Sequence, residues 1–285
     1  MKVKITTVYD TQFFKWRNFG GFNGVSFHIS INQEQIMSDL GLIGWRLVHN
    51  MKILKINPNE IDKVFLTHGH MDHVRGLIGL VNARTTSAKL PIFTHPESIR
   101  QKRAFIKNKE MWNAGFPIFE TKIIEKVQFN FSSESIQIAP NLYTTGEISL
   151  KERTNVQNLS RHYKCKINDS WEKDPVIDDQ SLVLQTSEGL VLITGCCHSG
   201  LLNTCNKAKE LFNDEIHAVI GGVHLIFAKK SKIKQVISNI QRELRSSILY
   251  LNHSTGSKAI RMIKKKFGSE IVRNCSVGTK IEFNC

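Results

Sequence analysis

The chain has 285 residues, 41% of them hydrophobic, and 39 Lys and Arg against 25 Asp and Glu give it a formal net charge of +14 and a pI near 9.6. That length can bury a substantial core and suits one large domain, expected here over residues 1–285. No apolar run approaches the roughly 20 residues that a bilayer span needs, the opening MKVKITTVYD lacks the apolar block and cleavage site of a signal peptide, and six cysteines without an export signal do not read as a disulfide framework. A cytoplasmic protein with free thiols and no membrane partner is therefore expected. The positive charge favours phosphorylated or otherwise anionic partners but, being dispersed, does not choose among them.

KVKITTVYD and GVSFHISI alternate as strands, and Leu42, Trp45, Val48 and Met51 follow at helical spacing. IDKVFLTH reads as a strand, VRGLIGLVNA as a glycine-punctuated helix and PIFTHP as a short strand. Residues 97–116 are basic and read as helix, whereas IIEKVQFNF, SIQIA and LYTTG read as strands. From Lys151 to Asp178 the chain is polar and without period, which predicts a long loop; such loops are functional or disordered, and a lid over a site is the functional version. SLVLQTSEGLVLITG is two strands joined by a Ser-Glu-Gly turn. After it come LLNTCNKAKELF (helix), IHAVIGG (strand), KIKQVISNIQRELRS (helix), SILYLN (strand), a further helix and a last strand. The densest basic runs, KSKIK and IKKKF, fall inside helical patterns and read as solvated faces. Strands alternating with helices in this way predict a layered α/β fold.

The most informative residues are Thr67-His68-Gly69-His70-Met71-Asp72-His73, an HxHxDH cluster on a predicted strand-to-helix loop. Imidazole and carboxylate are the donors that bind divalent ions. His68 and His70 are expected to face one ion, and Asp72 and His73, further round the turn, a second. Three later strands end in histidine motifs: Thr194-Gly-Cys196-Cys-His198-Ser-Gly200, Gly221-Gly-Val-His224-Leu and His253-Ser-Thr-Gly256. Strand ends are where loops converge in layered α/β folds, so these distant histidines can meet. His28, His49, His95, His162 and His217 lack such a setting and read as ordinary residues.

Together with Asp39-Leu-Gly41, Thr145-Gly-Glu147 and Asp178-Asp179-Gln180, these motifs resemble the metallo-β-lactamase fold superfamily. Within it they resemble the branch of proteins similar to dihydropterin ribofuranosylaminobenzene phosphate synthase of methanopterin biosynthesis. The resemblance spans most of the chain. It implies a four-layer αββα sandwich, two mixed sheets with helices outside, and two divalent ions, with zinc, manganese, iron and magnesium all admissible. It also implies roles for the residues at the matching positions. His253 suits the last ligand of the second ion. His198 or Cys196 occupies the position of the residue that bridges both ions, with His198 the preferred choice because neutral imidazole needs no charge-stabilising surroundings; His224 or Glu147 fills the remaining position. Asp39 is expected to orient a ligand histidine, and Asp39, Asp72 and Glu147 are the catalytic candidates. The branch joins a dihydropterin diphosphate to the nitrogen of a ribofuranosylaminobenzene phosphate with loss of diphosphate, so the expected partner is a phosphorylated small molecule, with Arg75 and Arg103 as candidate phosphate contacts.

The sequence departs from the branch at Phe22-Asn23, where a Glu-His pair is usual, and at Arg75, which replaces a small residue. A metal-dependent phosphodiesterase or nuclease acting on nucleic acid is the runner-up. A thioester or lactam hydrolase and a metal-bound scaffold without turnover stand behind it. Oligomeric state is left open.

Overall fold

The computed structural model describes residues 1–11, 19, 22–148 and 162–285. The first half runs β1 (Lys2–Tyr9), β2 (Ser26–Ile31), β3 (Glu34–Ser38), α1 (Gly44–Leu54), β4 (Lys63–Phe65), α2 (Met71–Val74), α3 (Leu77–Ala83), β5 (Leu90–Thr94), β6 (Lys102–Ile106), β7 (Lys109–Asn113), α4 (Thr121–Ile124) and β8 (Val127–Phe131). The second half runs β9 (Gln137–Ala139), β10 (Leu142–Thr144), β11 (Tyr163–Ile167), β12 (Ser170–Lys173), β13 (Ser181–Thr186), β14 (Gly189–Thr194), α5 (Leu201–Phe212), β15 (Ile216–Gly221), α6 (Lys230–Glu243), β16 (Ile248–Leu251), α7 (Ser257–Phe267), β17 (Val272–Asn274) and β18 (Lys280–Asn284).

Two seven-stranded sheets, ordered β18-β1-β2-β3-β4-β5-β8 and β17-β16-β15-β14-β13-β10-β9, lie face to face. Alternation along each strand decides which layer a side chain joins. Val191 and Ile193 of β14 point inward to meet Ile5, Phe27 and Ile29 of the other sheet, whereas Leu190 and Leu192 point outward to α5, α6 and α7. The outer face of the first sheet is covered in the same way by α1, α3 and α4 through Leu47, Met51, Leu77, Leu80 and Ile123. The result is a four-layer αββα sandwich. No helix among the described residues is long and apolar enough to cross a membrane.

Three local readings differ from the structure. In α1 the buried side chains are Leu47, Asn50 and Met51, while Trp45 is 65% exposed, so the helix is rotated relative to the stripe expected from Leu42, Trp45, Val48 and Met51. Residues 97–116 hold the β6–β7 hairpin rather than a helix. The segment expected to be a loop from Lys151 to Asp178 contains the β11–β12 hairpin, and its part over 151–161 lies outside the described residues. The two hairpins join as a separate four-stranded sheet, β12-β11-β6-β7. Both turns carry paired left-handed residues, Lys107 and Asn108 (φ 48° and 62°) and Asn168 and Asp169 (φ 45° and 64°). Two consecutive positive φ angles are the requirement of a tight type I′ hairpin, and Asn and Asp are among the residues that tolerate them.

Candidate metal centre

The two sheets open along one edge, where the ends of β1, β3, β4, β14, β15 and β16 meet. The 67–73 loop leaves β4 and is pinned on three sides: Leu66 N–H donates to Phe93 O, Gln180 N–H to Thr67 O, and Met71 N–H to Ala114 O, each at 2.9 Å. His70 is the N-cap of α2, so Asp72 and His73 fall within a single helical turn. The other approaches are tight as well. A Cβ on Gly69 would stand 1.8 Å from Ser98 O, and one on Gly195 would stand 2.2 Å from Thr67 Oγ1. Asp39, Cys197, His224 and His253 all adopt left-handed backbone (φ 43° to 58°), and strain of this kind persists only where surrounding structure over-determines it.

The loop imidazoles and His253 are each held by one nitrogen, leaving the other for the centre of the cluster. His68 Nδ1 lies 3.0 Å from Thr67 Oγ1, His73 Nδ1 lies 2.8 Å from Asp39 Oδ2, and His253 Nδ1 lies 2.7 Å from Thr11 Oγ1. His70 is turned the other way, with Nε2 3.1 Å from Asp174 Oδ2 and Nδ1 3.1 Å from His68 Nε2. Asp39 is itself fixed by Thr67, whose N–H and hydroxyl donate to its two carboxylate oxygens at 2.9 and 2.8 Å. Both nitrogens of buried His198 have no hydrogen-bond partner among the described residues, although its ring lies 4.8 Å from that of His68 and 4.9 Å from that of His70. A buried polar atom without a partner is costly, and a bound cation would satisfy this one.

The donors fall into overlapping groups whose ligand atoms lie within 4.8 Å of one another: His68, His70 and His198; His68, His73 and Cys196; Cys196, His198 and His224; and Asp72, His73 and His253. Cys196 Sγ sits between His73 and His253, 3.3 Å from His73 Nε2 and 3.2 Å from His253 Nε2. Asp72 Oδ2 is 3.9 Å from the first of these nitrogens and 3.7 Å from the other. Tetrahedral ligands bonded at about 2.0–2.3 Å sit roughly 3.3–3.8 Å apart, so these spacings fit donors converging on a cation.

The electrostatics fit the same reading. Burial pushes His68 and His198 well below the ordinary imidazole range, and neighbouring histidines add to the effect. Burial and the His73 charge bring His253 down to about 3. Such groups are neutral and offer lone pairs. His73 goes the other way: burial opposes its charge, but Asp39, Cys196 and Asp72 raise it well above the usual value. Burial raises Asp72, yet His73, His253 and His70 outweigh it and hold the carboxyl below its ordinary range. Neutral imidazole lone pairs beside an ionised Asp72 carboxylate are the donor types that suit a divalent cation.

Three expected residues are elsewhere. Glu147, with a side chain 38% exposed, lies 3.3 Å from His95 Nε2 and outside every donor group. The Arg75 guanidinium donates to Asn113 O at 3.5 Å and lines a different cavity beside Trp45 and Pro117. Arg103 pairs with Glu110 across the β6–β7 hairpin at 3.1 Å. The site also contains groups not foreseen: Asp174 on His70, Thr11 on His253, and a buried Lys102–Asp178 ion pair (2.9 Å, each side chain 1% exposed) whose carboxylate also accepts Gly69 N–H at 2.7 Å. Asp174 and Lys102 reach the loop through β11, β12 and β6, whose hairpins carried the only local signal, their asparagine turns. Beside the donors lies a cavity of about 140 Å³ lined by Thr11, Tyr163, His224, Ile226 and Phe227 among others.

Comparison with known proteins agrees with this geometry. Residues 36–136 match the metallo-beta-lactamase superfamily model. The chain is 31% identical to 7,8-dihydropterin-6-methyl-4-(beta-D-ribofuranosyl)-aminobenzene-5'-phosphate synthase of Methanocaldococcus jannaschii over 264 residues, covering 90% of this chain and 88% of that protein. The chain is an enzyme of the metallo-β-lactamase superfamily. A solved metal-dependent hydrolase of the beta-lactamase superfamily superposes with a TM-score of 0.81 at 24% identity, covering 99% of this chain and 100% of the other. The metallo-beta-lactamase fold protein YhfI of Bacillus subtilis does so with a TM-score of 0.57 at 12% identity, covering 99% of each. Superfamily membership implies divalent metal, and the donor set described above fits one.

Proposed function

We propose that this superfamily enzyme acts as one unit over residues 1–285, holds two divalent ions, and joins a dihydropterin diphosphate to a ribofuranosylaminobenzene phosphate. The observation that carries the metal reading is the set of anchored imidazoles, each with one nitrogen tied to Thr67, Asp39, Thr11 or Asp174 and the other turned to the cluster. His68, His70 and His198 would hold one ion; Asp72, His73 and His253 would hold the other. Cys196, set between His73 and His253, replaces His198 as our choice for the residue shared with the second position. Nitrogen and sulfur donors outnumber oxygen donors, which suits zinc or iron better than manganese and excludes magnesium as the preferred ion.

Bound there, the ions would supply positive charge to the oxygens of the leaving diphosphate. In the reaction the bond between the pterin methylene carbon and diphosphate oxygen breaks, a bond from that carbon to the aryl amine nitrogen forms, and the amine gives up a proton. His224 lines the cavity and is our candidate to take it. Asp39, Asp174 and Thr11 act through the histidines they hold, fixing tautomer and direction. The synthase relative, matched over nearly its whole length, supports the choice of substrates.

The test is to load the protein with zinc or iron(II), supply both substrates, and follow coupled product and diphosphate. Equal release of the two supports the reading. Rapid metal-dependent cleavage of bis-nitrophenyl phosphate without coupling would replace it with a phosphodiesterase.

A further inference from the structure

Phe227 is 79% exposed and Ile226 41% exposed. Exposed apolar side chains scattered singly are ordinary on a protein surface, and Trp45 and Ile118 are others here. Phe227 and Ile226 differ from those two because they line the same cavity as Asp72, His198 and His253. Their backbone is also fixed. Leu225 and Ile226 N–H both donate to Ser254 O at 2.9 Å, Ala228 N–H closes onto Leu225 O at 3.0 Å, and a Cβ on Gly256 would come within 2.7 Å of Ile226 Cα. The segment that presents Phe227 is therefore tied to the segment that carries His253. Deeper in the cavity Tyr163 packs edge-on against His70, ring centroids 5.1 Å apart. Its hydroxyl, a phenol, is a hydrogen-bond donor at neutral pH.

We propose that Phe227, flanked by Ile226, is the stacking platform for a flat heteroaromatic ring of the substrate, and that the Tyr163 hydroxyl donates to a polar edge of that ring. The assignment rests on the pterin reading above and adds the residues that recognise the ring. The phenyl face is sequence-tolerant in what it stacks on, so it supplies affinity, while the single phenolic donor and the adjoining metal donors set orientation. A rigid rim suits this use, because little ordering entropy is lost when the ring arrives.

Equilibrium titration with a fluorescent pterin, 6-hydroxymethylpterin, tests it on the metal-loaded protein. Stacking on an aromatic side chain predicts about tenfold weaker binding for Phe227→Ala, near-native binding for Phe227→Trp, and a loss in Phe227→Leu close to that of the alanine variant. Tyr163→Phe should weaken binding several-fold. Metal content and melting temperature should match wild type in the Phe227 variants, which separates ring recognition from a folding defect. Wild-type affinity in Phe227→Ala, or in Phe227→Leu, would overturn the platform while leaving the synthase reading intact. Absence of any pterin binding by the wild-type protein would overturn both.

Discussion

Replacing Asp174 by asparagine keeps the shape of the side chain but removes the charge that faces His70. Asp174 is 3% exposed, its Oδ2 lies 3.1 Å from His70 Nε2, and its Oδ1 accepts Val176 N–H at 3.0 Å. A carboxylate in that position makes the imidazole a better donor at its other nitrogen, and such partners are worth about 10- to 100-fold in metal affinity, or about 1.4 to 2.7 kcal/mol. His70 belongs to the His68, His70, His198 group, whereas the Asp72, His73, His253 group is supported by Asp39 and Thr11. The loss should therefore fall on one position. Titration against a calibrated zinc chelator should show two equivalents in wild type, and in Asp174→Asn one equivalent with unchanged affinity and a second weakened 10- to 100-fold. Unchanged affinity for both ions, or equal weakening of both, would refute the assignment of Asp174 to a single position.

Gly195→Ala would put a methyl group 2.2 Å from Thr67 Oγ1 and 2.7 Å from Asp39 Oδ2; overpacking there should cost about 3 kcal/mol in denaturant unfolding, and a cost below about 1 kcal/mol would show that the approach of Gly195 to Thr67 and Asp39 has room to give. Lys102→Met leaves the Asp178 carboxylate buried without its cation, which predicts a loss of about 3–5 kcal/mol, partly recovered by adding Asp178→Asn; no recovery would mean that the lysine acts by packing rather than charge. His28 is buried on the outer face of the first sheet, and burial lowers it to about 4. Its folded pKa lies below the unfolded value of about 6.5, so the unfolded chain takes up the proton first; the stability it contributes is complete above 6.5 and is lost as pH falls toward 4. Between pH 7 and pH 4.5 this amounts to roughly 2 kcal/mol. His28→Gln should remove that much of the pH dependence, and parallel curves for the two proteins would contradict it.

What could be read from the residues alone was whatever repeats locally or sits in a short motif. Period-two alternation marks β1 and β2, apolar runs on either side of a Ser-Glu-Gly turn mark β13 and β14, and the HxHxDH loop with the later strand-end histidines names residues that the structure brings together. What escaped depends on contacts between distant segments. The four-stranded sheet forms because β6 pairs with β11, some sixty residues later, Lys102 opposite Cys165; nothing in KRAFI favours that partner over helix except the Lys107-Asn108 turn. Asp174 and Thr11 carry no motif of their own and become meaningful only when folding sets them against His70 and His253. Spacing does not choose between His198 and Cys196, since both follow the end of β14 within four residues. The backbone separates the two: Cys197 turns left-handed (φ 58°), leaving Sγ of Cys196 against His73 and His253 while His198 faces His68 and His70. Charge singles out Arg75 and Arg103 in the sequence, and the structure sets the first against Asn113 and the second against Glu110.

Whether one cluster holds two divalent ions is tested most directly by counting them. Elemental analysis of the protein after loading with zinc and removal of free metal should give two ions per chain, and the double variant His70→Ala, Asp72→Ala, which strips one donor from each position, should give fewer than one. A double variant that keeps its two ions would contradict the placement of both in the 67–73 loop.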